Sequence, residues 1–421
     1  MSRLLDRSPR PVVPAPAFNA FGGHEYVAAW AHEDVMMRLS AVRESRGCVH
    51  AEVAVIYDGR QLQLDRIDLV GTGSREALVR KLDQTTREVP WRPMLEEACR
   101  LTIAAARRGE PLVPLTGIVT SPTRELMPGL LYEGEPSLLY ADGDTGKSLV
   151  ALTIGVAVCA GVALPFGLKP ARAMPVMYLD YEASQSTMDE RHGKIAAGLG
   201  IDPPPILYKH MNRPLVDEAP TLAAEIARRR VGLVVIDSKM FAVASGEGAM
   251  YHEPIVAFYN ALRSFAPAAT LVLNHVTNES AKNGTPARPF GGAYAFNGPR
   301  LAWEAKRDRD VDDATAIVFT CKKANNLARK PDPFGLLFRP GDGTITVYPF
   351  SLNEAAPQTV VGASITYRLR LALAAGPTTP ATLAEQLDQD EATVKRLLRR
   401  LRQDGVVKDR PDGSWEMVPR C

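Results

Sequence analysis

The segment Ser137-Leu138-Leu139-Tyr140-Ala141-Asp142-Gly143-Asp144-Thr145-Gly146-Lys147-Ser148 is the strongest indicator of fold in this 421-residue chain. An apolar run of strand length leads into a short loop, and an apolar segment of helix length follows. The glycines Gly143 and Gly146 let such a loop wrap tightly, so that its backbone N–H groups point inward at the start of the helix. The segment therefore predicts a strand–loop–helix unit that binds phosphate groups.

This layout is that of a Walker A loop, although Ala141 stands where the strictest form of the motif has glycine. Lys147 would neutralise charge on the β- and γ-phosphates of ATP, and Ser148 would bind Mg²⁺. The predicted cofactors are therefore ATP and Mg²⁺. The residues predicted to bind ATP are Asp142, Gly143, Asp144, Thr145, Gly146, Lys147, Ser148 and Leu149.

Two further apolar strands end in carboxylates. The strand Leu233–Asp237 has the Walker B pattern, in which Asp237 would orient the Mg²⁺ beside the phosphates. The strand Val176–Asp180 is followed by Glu182, whose carboxylate could polarise the attacking water. Asp180 is a competing base, and Glu182 could instead cap the next helix.

A fourth strand, predicted at Thr270–Asn274, delivers His275 at its end, where a polar side chain could sense the γ-phosphate. From about Pro122 to Phe350 such strands alternate with helical segments, which is typical of a mainly parallel sheet covered by helices. More antiparallel strands are predicted near the end, at Ile317–Cys321 and Ile345–Tyr348.

Length and composition favour a soluble protein of two or three compact units. The 50 Lys and Arg residues nearly balance the 48 Asp and Glu residues, so any surface for nucleic acid must be local. Five cysteines without metal-ligand spacing suit a reducing compartment, and the N-terminus carries charges where a signal peptide needs apolar residues. We therefore expect a cytoplasmic protein.

A membrane span was considered for Leu149–Leu168, because the stretch has no charged residue and is long enough to cross a bilayer. The stretch directly follows the predicted phosphate loop and is interrupted by Gly155, Gly161 and Pro165. We interpret it as a buried helix and expect no membrane partner.

Five segments are predicted along the chain. They are a flexible leader at 1–20, a small α/β domain at 21–115, an ATPase domain at 116–352, a linker at 353–363 and a C-terminal domain at 364–421. The small α/β domain carries no catalytic motif, so a structural or docking role is expected for it.

The C-terminal domain is predicted to be a winged helix-turn-helix. One short helix is capped by Thr379, a second is capped by Asp390, and a hairpin at Val406–Met417 has the order of a wing. Lys395, Arg396 and Arg399 lie on the polar face of the second helix and could contact DNA. Such modules also dock proteins, and a charged helix face can simply be solvated.

Together these motifs resemble the RecA-like ATPase family that includes plasmid RepA-type hexameric replicative helicases and many phage and mobile-element ATPases. The resemblance covers about Glu133 to Phe350. The segments that carry it are Ala141–Ser148, Tyr178–Glu182, Val235–Asp237, Asn274-His275, Pro289–Gly292, Arg300–Trp303 and Lys322–Asn325. The resemblance implies an α/β, RecA-like fold with a mainly parallel sheet.

It also implies roles for individual residues. By the resemblance, Glu182 is the catalytic base, Asp237 binds the metal and His275 senses the γ-phosphate, although the family usually has paired histidines where this chain has Asn274-His275. A homo-oligomeric, hexameric ring is implied, with Arg300 and Lys323 acting in trans on a neighbour's nucleotide.

DNA-binding loops are expected from the resemblance at Lys239–Tyr251 and Thr277–Phe290, with phosphate contacts from Lys239, Lys282 and Arg288. The preferred function is an ATP-driven motor on DNA, single-stranded and also duplex. The alternative is a regulatory ATPase that binds DNA or a partner without unwinding and uses ATP as a conformational switch. A small-molecule kinase is disfavoured, because no arginine-rich lid segment follows the motifs.

Overall fold

The computed structural model describes residues 13–21, 25–45, 47–108, 114–115, 117, 124–243, 252–276, 288–311, 313–327, 330–352, 355, 364–374 and 376–418. Two compact units separate along the chain. One comprises Met1–Pro122 with Asp217–Arg228, and the other comprises Thr123–Val216 with Arg229–Cys421. The C-terminal segment, predicted as a separate domain, therefore falls in the same unit as the ATPase segment.

The first unit is a five-stranded antiparallel meander with two helices. Its elements are β1 (Ala17–Phe21), β2 (Glu25–Trp30), β3 (Val35–Ser45), β4 (Cys48–Tyr57), β5 (Arg60–Asp68), α1 (Thr72–Thr85) and α2 (Trp91–Arg108), with a short 3-10 turn at Ala31–Glu33. Alternate strand residues such as Met37 and Leu39 are buried and pack with Leu95 and Cys99 of α2 into one core.

The prediction of a flexible leader at 1–20 is wrong for the last residues of that segment. Ala17–Phe21 pairs antiparallel with β2, and Phe18 lies on Tyr26 with ring centroids 6.1 Å apart. These contacts give the end of the segment a place in the sheet that its composition did not indicate. Residues 1–12 lie outside the described part of the chain.

The second unit is built on a nine-stranded sheet. Its strands are β8 (Pro136–Ala141), β9 (Val176–Asp180), β10 (Leu207–His210), β11 (Leu233–Asp237), β12 (Ala269–His275), β13 (Leu301–Val311), β14 (Ala314–Ala324), β15 (Phe334–Gly341) and β16 (Thr344–Phe350). A small hairpin of β6 (Glu125–Met127) and β7 (Leu131–Tyr132) precedes them. The helices are α3 (Lys147–Ala160), α4 (Gln185–Gly198), α6 (Lys239–Ala242), α7 (His252–Arg263) and α8 (Gly292–Asn297), with a 3-10 turn at Pro165–Gly167. Helix α5 (Leu215–Arg229) comes between α4 and α6 along the chain, and its residues Asp217–Arg228 belong to the first unit.

The strand order across this sheet is β10-β9-β11-β12-β8-β13-β14-β15-β16. The first six strands in that order pair in parallel, and the last three add antiparallel neighbours. This mainly parallel sheet with covering helices confirms the predicted α/β fold class. Three strands of this sheet, β10, β13 and β15, were not predicted from the sequence.

Parallel pairing brings the predicted motifs to one edge of the sheet. Asp237 at the end of β11 lies opposite Asp180 at the end of β9, and His275 at the end of β12 lies opposite Ala141 at the end of β8. The strand ends that carry polar side chains therefore surround the start of α3.

Helix α3 lies in the main core of the unit. Its apolar residues pack with strand residues such as Tyr178 and Val235, and also with Phe334 of β15. The helix ends at Gly161, which has a φ of 72° and bonds back to the Ala157 carbonyl. None of the helices in the described residues combines the length and the apolarity needed to span a bilayer.

The C-terminal segment contains α9 (Ile365–Ala374), α10 (Pro380–Leu387), α11 (Glu391–Gln403), β17 (Val407–Asp409) and β18 (Trp415–Met417). Thr379 and Asp390 cap α10 and α11 by accepting hydrogen bonds from the backbone N–H groups of Thr382 and Thr393. Helix, helix and hairpin thus follow in the predicted order, and an isolated bridge between Thr378 and Trp415 ties the hairpin to the start of α10.

Helix α9 also packs on the large sheet. Its Tyr367 and Leu371 contact a cluster formed by Ala316, Val318, Phe350 and Leu352, on the face opposite α3. Arg370 pairs with Asp332 at 3.2 Å. These contacts explain why the segment belongs to the ATPase unit.

Candidate functional site

The phosphate loop joins β8 to α3 as predicted. Asp144 and Gly146 adopt left-handed φ angles of 57° and 86°, which turn the loop around the N-terminus of α3. A Cβ on Gly146 would lie 3.3 Å from Ile317 Cδ1, so the loop rests closely on β14. The hydroxyl of Thr145 donates to the Asp142 carbonyl at 2.9 Å and closes the turn.

Lys147 is buried at the base of this loop. Its ammonium group donates to the carbonyl of Asp142 at 2.7 Å and to that of Ala141 at 3.3 Å. Burial lowers the pKa of Lys147, and the carboxylates of Asp237 and Glu182 oppose that effect. The cation is thereby held where phosphate oxygens at the helix N-terminus could replace its carbonyl partners.

Asp237 is 4% exposed and lies beneath the start of α3. It accepts a hydrogen bond from the Tyr178 hydroxyl at 2.8 Å and another from the Ser148 hydroxyl. Burial raises the pKa of Asp237, while these two hydrogen bonds counteract the rise. Tyr178 is a contact that the sequence analysis did not identify, because its partner is 59 residues away in sequence.

Ser148 and Asp237 offer the hard oxygen donors that Mg²⁺ prefers. Among the described residues, no group of three or more His, Cys, Asp or Glu side chains could hold a metal ion by itself. The residues that would hold Mg²⁺ here are Ser148 and Asp237.

Glu182 and Asp180 differ sharply in environment. Asp180 is fully buried and accepts hydrogen bonds from the backbone N–H groups of Glu182 at 2.8 Å and Ala183 at 3.0 Å. The Glu182 side chain is 37% exposed, and its Oε1 lies 3.7 Å from Nε2 of His275. Asp180 thus has the contacts of a turn-capping residue, and Glu182 has those of a reactive carboxylate.

The hydroxyl of Ser238 donates to Glu182 Oε1 at 2.5 Å, a further contact that no sequence motif indicated. The pKa of Glu182 lies below its ordinary value, chiefly because of the His275 imidazole. Burial opposes this effect, and the Ser238 hydrogen bond adds to it. The carboxylate is therefore held ionised, as a proton acceptor requires.

Lys239 was predicted to contact DNA, and the structure contradicts that prediction. The side chain is buried, with 2% exposure, and its Nζ donates to the Phe290 carbonyl at 3.2 Å. The short helix α6 turns Lys239 inward, where it meets the chain that enters α8. Of the other two predicted loop contacts, Arg288 is exposed and Lys282 lies outside the described residues.

Arg300 is not brought to the phosphate loop of its own chain. It precedes Leu301, which pairs with Ser137 at the start of β8, whereas the loop follows the end of β8. At roughly 3.3 Å per strand residue, the two positions are on the order of 15 Å apart. Arg300 is half exposed and lies 3.5 Å from the Glu135 carboxylate.

Lys323 lies near Arg300 but is engaged within its own chain. Its Nζ donates to the carbonyls of Phe296 and Asn297 at 3.1 and 2.8 Å, at the end of α8. Burial, and then the charge of Arg300, lowers the pKa of Lys323. These contacts give Lys323 a role in fixing the chain that leads into Arg300.

Arg307 was missed by the sequence analysis. It extends from β13 to the phosphate loop and donates to the Asp144 carbonyl at 3.3 Å. Only the parallel pairing of β13 with β8 places it there. An exposed guanidinium next to the loop adds positive potential on the side facing solvent.

The predicted DNA contacts of the C-terminal segment lie on the polar face of α11. Lys395, Arg396 and Arg399 are all exposed, and Lys395 pairs with Glu391 at 2.8 Å. The apolar face of the helix, with Val394, Leu398 and Leu401, is buried in the small core of the segment.

Part of the chain is similar to known proteins. Residues 115–281, less than half of the chain, match the family model described as an AAA domain. No curated protein matches the chain in sequence. Among solved structures, a KaiC-like protein from the hyperthermophilic archaeon Pyrococcus horikoshii OT3 is similar, with 16% identity, a TM-score of 0.37, and coverage of 54% of this chain and 100% of that protein.

The matched family segment contains the phosphate loop, Glu182, Asp237 and His275. The strand order places β12 between the phosphate-loop strand β8 and the Asp237 strand β11. In its site geometry, its sheet topology and its AAA-domain match, this part of the chain is similar to RecA-like P-loop ATPases.

Proposed function

We propose that this chain is an ATP-hydrolysing motor that acts on DNA, a helicase or helicase-like replication protein of a phage, plasmid or mobile element. One observation carries the ATP-hydrolysing part of the proposal. Four separate strands and loops bring polar side chains together around the N-terminus of one helix. These side chains are Lys147, Ser148, Asp237, Glu182 and His275.

The proposed reaction begins with binding of the triphosphate by the loop amides and Lys147, which compensate its charge. Ser148 and Asp237 would hold Mg²⁺, which when bound offsets the charge of the β- and γ-phosphate oxygens. Tyr178 keeps the Asp237 carboxylate fixed by its hydrogen bond at 2.8 Å. Arg307 adds a cation outside the loop.

Glu182 would accept the proton of the attacking water. The His275 imidazole lowers the pKa of Glu182, and the Ser238 hydrogen bond fixes one of its oxygens. His275 lies 3.7 Å from the same carboxylate. A change of charge at the γ-phosphate would therefore act on both side chains. Asp180 is disfavoured as the base, because two backbone N–H groups donate to its Oδ1 and the Tyr208 hydroxyl donates to its Oδ2.

A ring, with six subunits by family resemblance, is part of the proposal. Arg300 lies at the edge of the sheet away from its own phosphate loop, so it could stabilise a transition state only at a neighbouring subunit's site. Lys323 would support it from within the same chain by holding the end of α8.

DNA contact is proposed next to the ATP site. Phe241, Phe290 and Tyr294 are exposed by 53%, 36% and 47%, and exposed Arg288 lies beside Phe290. Exposed aromatic rings offer stacking platforms for unpaired bases, and a neighbouring arginine can bind the phosphate backbone. This combination favours single-stranded DNA at this edge of the sheet.

A second DNA contact is proposed in the C-terminal segment, acting as a winged helix-turn-helix. Exposed Lys395, Arg396 and Arg399 on α11 could contact the phosphates or bases of duplex DNA. The packing of α9 on the ATPase sheet also favours the second candidate function, an ATP-switched DNA-binding regulator without unwinding activity.

ATP hydrolysis with and without single-stranded DNA, followed by strand displacement on a forked duplex, tests the proposal. A motor should show ATPase stimulated severalfold by single-stranded DNA, form a larger assembly with nucleotide, and displace the strand. Stimulated ATPase without displacement would favour the regulator, and ATPase indifferent to DNA would contradict both.

A further inference from the structure

Lys239 is a buried cation next to the ATP site. It follows Asp237 and Ser238 directly, and only 2% of its surface is exposed. Burial lowers its pKa to about 8. Burying an ammonium group costs free energy, because the charge loses its hydration. The cost is offset only where hydrogen bonds to the protein replace the lost water.

Lys239 and Asn274 both donate a hydrogen bond to one carbonyl group. The Phe290 oxygen accepts from Lys239 Nζ at 3.2 Å and from the Asn274 side-chain amide at 2.9 Å. Gly291 permits this approach, since a Cβ there would lie 2.9 Å from the ammonium nitrogen and 2.8 Å from Ile255. Its φ of 104° is also one that other residues rarely adopt.

Phe290 is in turn bonded to the strand that carries the sensor histidine. Its backbone N–H donates to the His275 carbonyl at 2.7 Å, and Val276 forms a bridge with Pro289. Asn274 accepts a hydrogen bond from the His275 backbone N–H at 3.0 Å. The backbone on both sides of His275 is therefore fixed by groups that also hold Phe290.

We propose that Lys239 is a positioning residue for the ATP site, which holds the Phe290 carbonyl and thereby sets the place of His275 beside Glu182. It links the end of β11, which carries Asp237, to the end of β12, which carries His275. This inference rests on the proposed ATPase function and deepens it. The predicted role of Lys239, a contact with DNA phosphate, is thereby replaced by a structural link between two parts of the site.

The variant Lys239→Met tests the inference, because methionine has a similar length and no charge. If Lys239 positions His275, kcat for ATP should fall about tenfold while KM changes less than about twofold. The melting temperature should stay equal or rise, since an apolar side chain suits the buried position. An unchanged kcat would overturn the inference.

Hydrogen exchange supplies a readout that does not depend on activity. In Lys239→Met the amides of Phe290 and Val276 should exchange at least several times faster, while amides of α2, which belongs to the other unit, stay unchanged. Unchanged exchange would overturn the inference even in a chain that hydrolyses no ATP. If the wild-type chain does not hydrolyse ATP but the variant shows faster exchange, only the proposed ATPase function is contradicted.

Salt dependence separates this role from DNA contact. Arg288→Ala should reduce the salt slope of single-stranded DNA binding by about 0.7, the value for one lost phosphate contact. Lys239→Met should leave the slope unchanged, and an equal reduction would show that Lys239 contacts DNA. If both Lys239→Met and Lys239→Leu unfold, Lys239 is a folding residue and the inference fails.

Discussion

The ATP site and the basic face of α11 both concentrate charged side chains, but they differ in burial. Lys147 and Asp237 are 7% and 4% exposed, and other protein groups bond to each of them. The side chain of Lys395 on α11 is 50% exposed and its neighbour Glu391 is 48% exposed. Buried, fixed charges have defined chemistry, whereas exposed ones offer a salt-sensitive surface for a polyanion.

This contrast predicts the largest effects at the buried site. Lys147→Ala and Asp237→Ala should each lower the ATP hydrolysis rate by about 10³-fold or more, because they remove phosphate charge compensation and metal orientation. Steady-state ATPase assays measure the loss, with melting curves to show that both variants fold. Substantial residual hydrolysis in either variant would contradict the site.

Arg300→Ala should lose ATPase nearly as completely, because the account places its guanidinium at a neighbour's γ-phosphate. Each of Arg300→Ala and Lys147→Ala should be inactive alone, yet a mixture that exchanges subunits should regain part of the activity. Mixed oligomers without recovery, or full activity of Arg300→Ala alone, would place Arg300 outside the reaction.

Tyr178→Phe should have an intermediate effect. Losing the hydroxyl removes a hydrogen bond that lowers the pKa of Asp237, so that pKa should rise further above its ordinary value. We expect kcat to fall about tenfold, half-saturation to need more Mg²⁺, and the acid limb of the pH profile to shift upward. Tyr259→Phe, which removes a buried hydroxyl bonded to the Ala295 carbonyl, is the matched control.

The exposed surface should give a smaller and salt-dependent effect. Replacing Lys395, Arg396 and Arg399 together by alanine should leave basal ATPase unchanged and weaken duplex DNA binding. Titrations at several salt concentrations should show a slope reduced by about 0.9 for each lost phosphate contact. An unchanged slope would assign this face to protein docking. Truncation at Ser364 is a poorer test, because it would uncover the sheet face under Tyr367 and Leu371.

A further expected effect concerns pH and stability. The pKa of Lys239 falls from an ordinary 10.5 to about 8 in the folded chain, so between these values the unfolded chain binds more protons. Wild-type stability should therefore rise relative to Lys239→Met as pH increases from about 8 toward 10.5. Urea unfolding of both proteins at about pH 8 and about pH 10.5 measures the difference in their free energies of unfolding. If that difference were the same at both pH values, the ammonium group would not be buried.

Local motifs made much of the site predictable. The phosphate loop, Glu182, Asp237 and His275 each follow an apolar strand, and parallel strands must bring such ends to one edge. The bounds of β9 and β11 were predicted to the residue for the same reason, since a buried parallel strand is a continuous apolar run. The caps of α10 and α11 were predictable because Thr379 and Asp390 act on nearby backbone.

Contacts between distant parts of the chain were not predictable. Tyr178 on Asp237 and Arg307 on the Asp144 carbonyl depend on strand order, which no local pattern reveals. The burial of Lys239 depends on the turn of α6 and on Gly291, so composition alone made it look like a loop cation. Packing of α9 on the sheet likewise depends on tertiary structure.

The most direct test of the account is the turnover and ATP binding of Glu182→Gln. Glutamine keeps the shape of the side chain and can still bond Ser238, but it cannot accept the proton of the attacking water. The account predicts ATP binding close to that of the wild type and hydrolysis lower by about 10²-fold or more. Hydrolysis at the wild-type rate would contradict it, because Asp180 or another acid would then have to be the base.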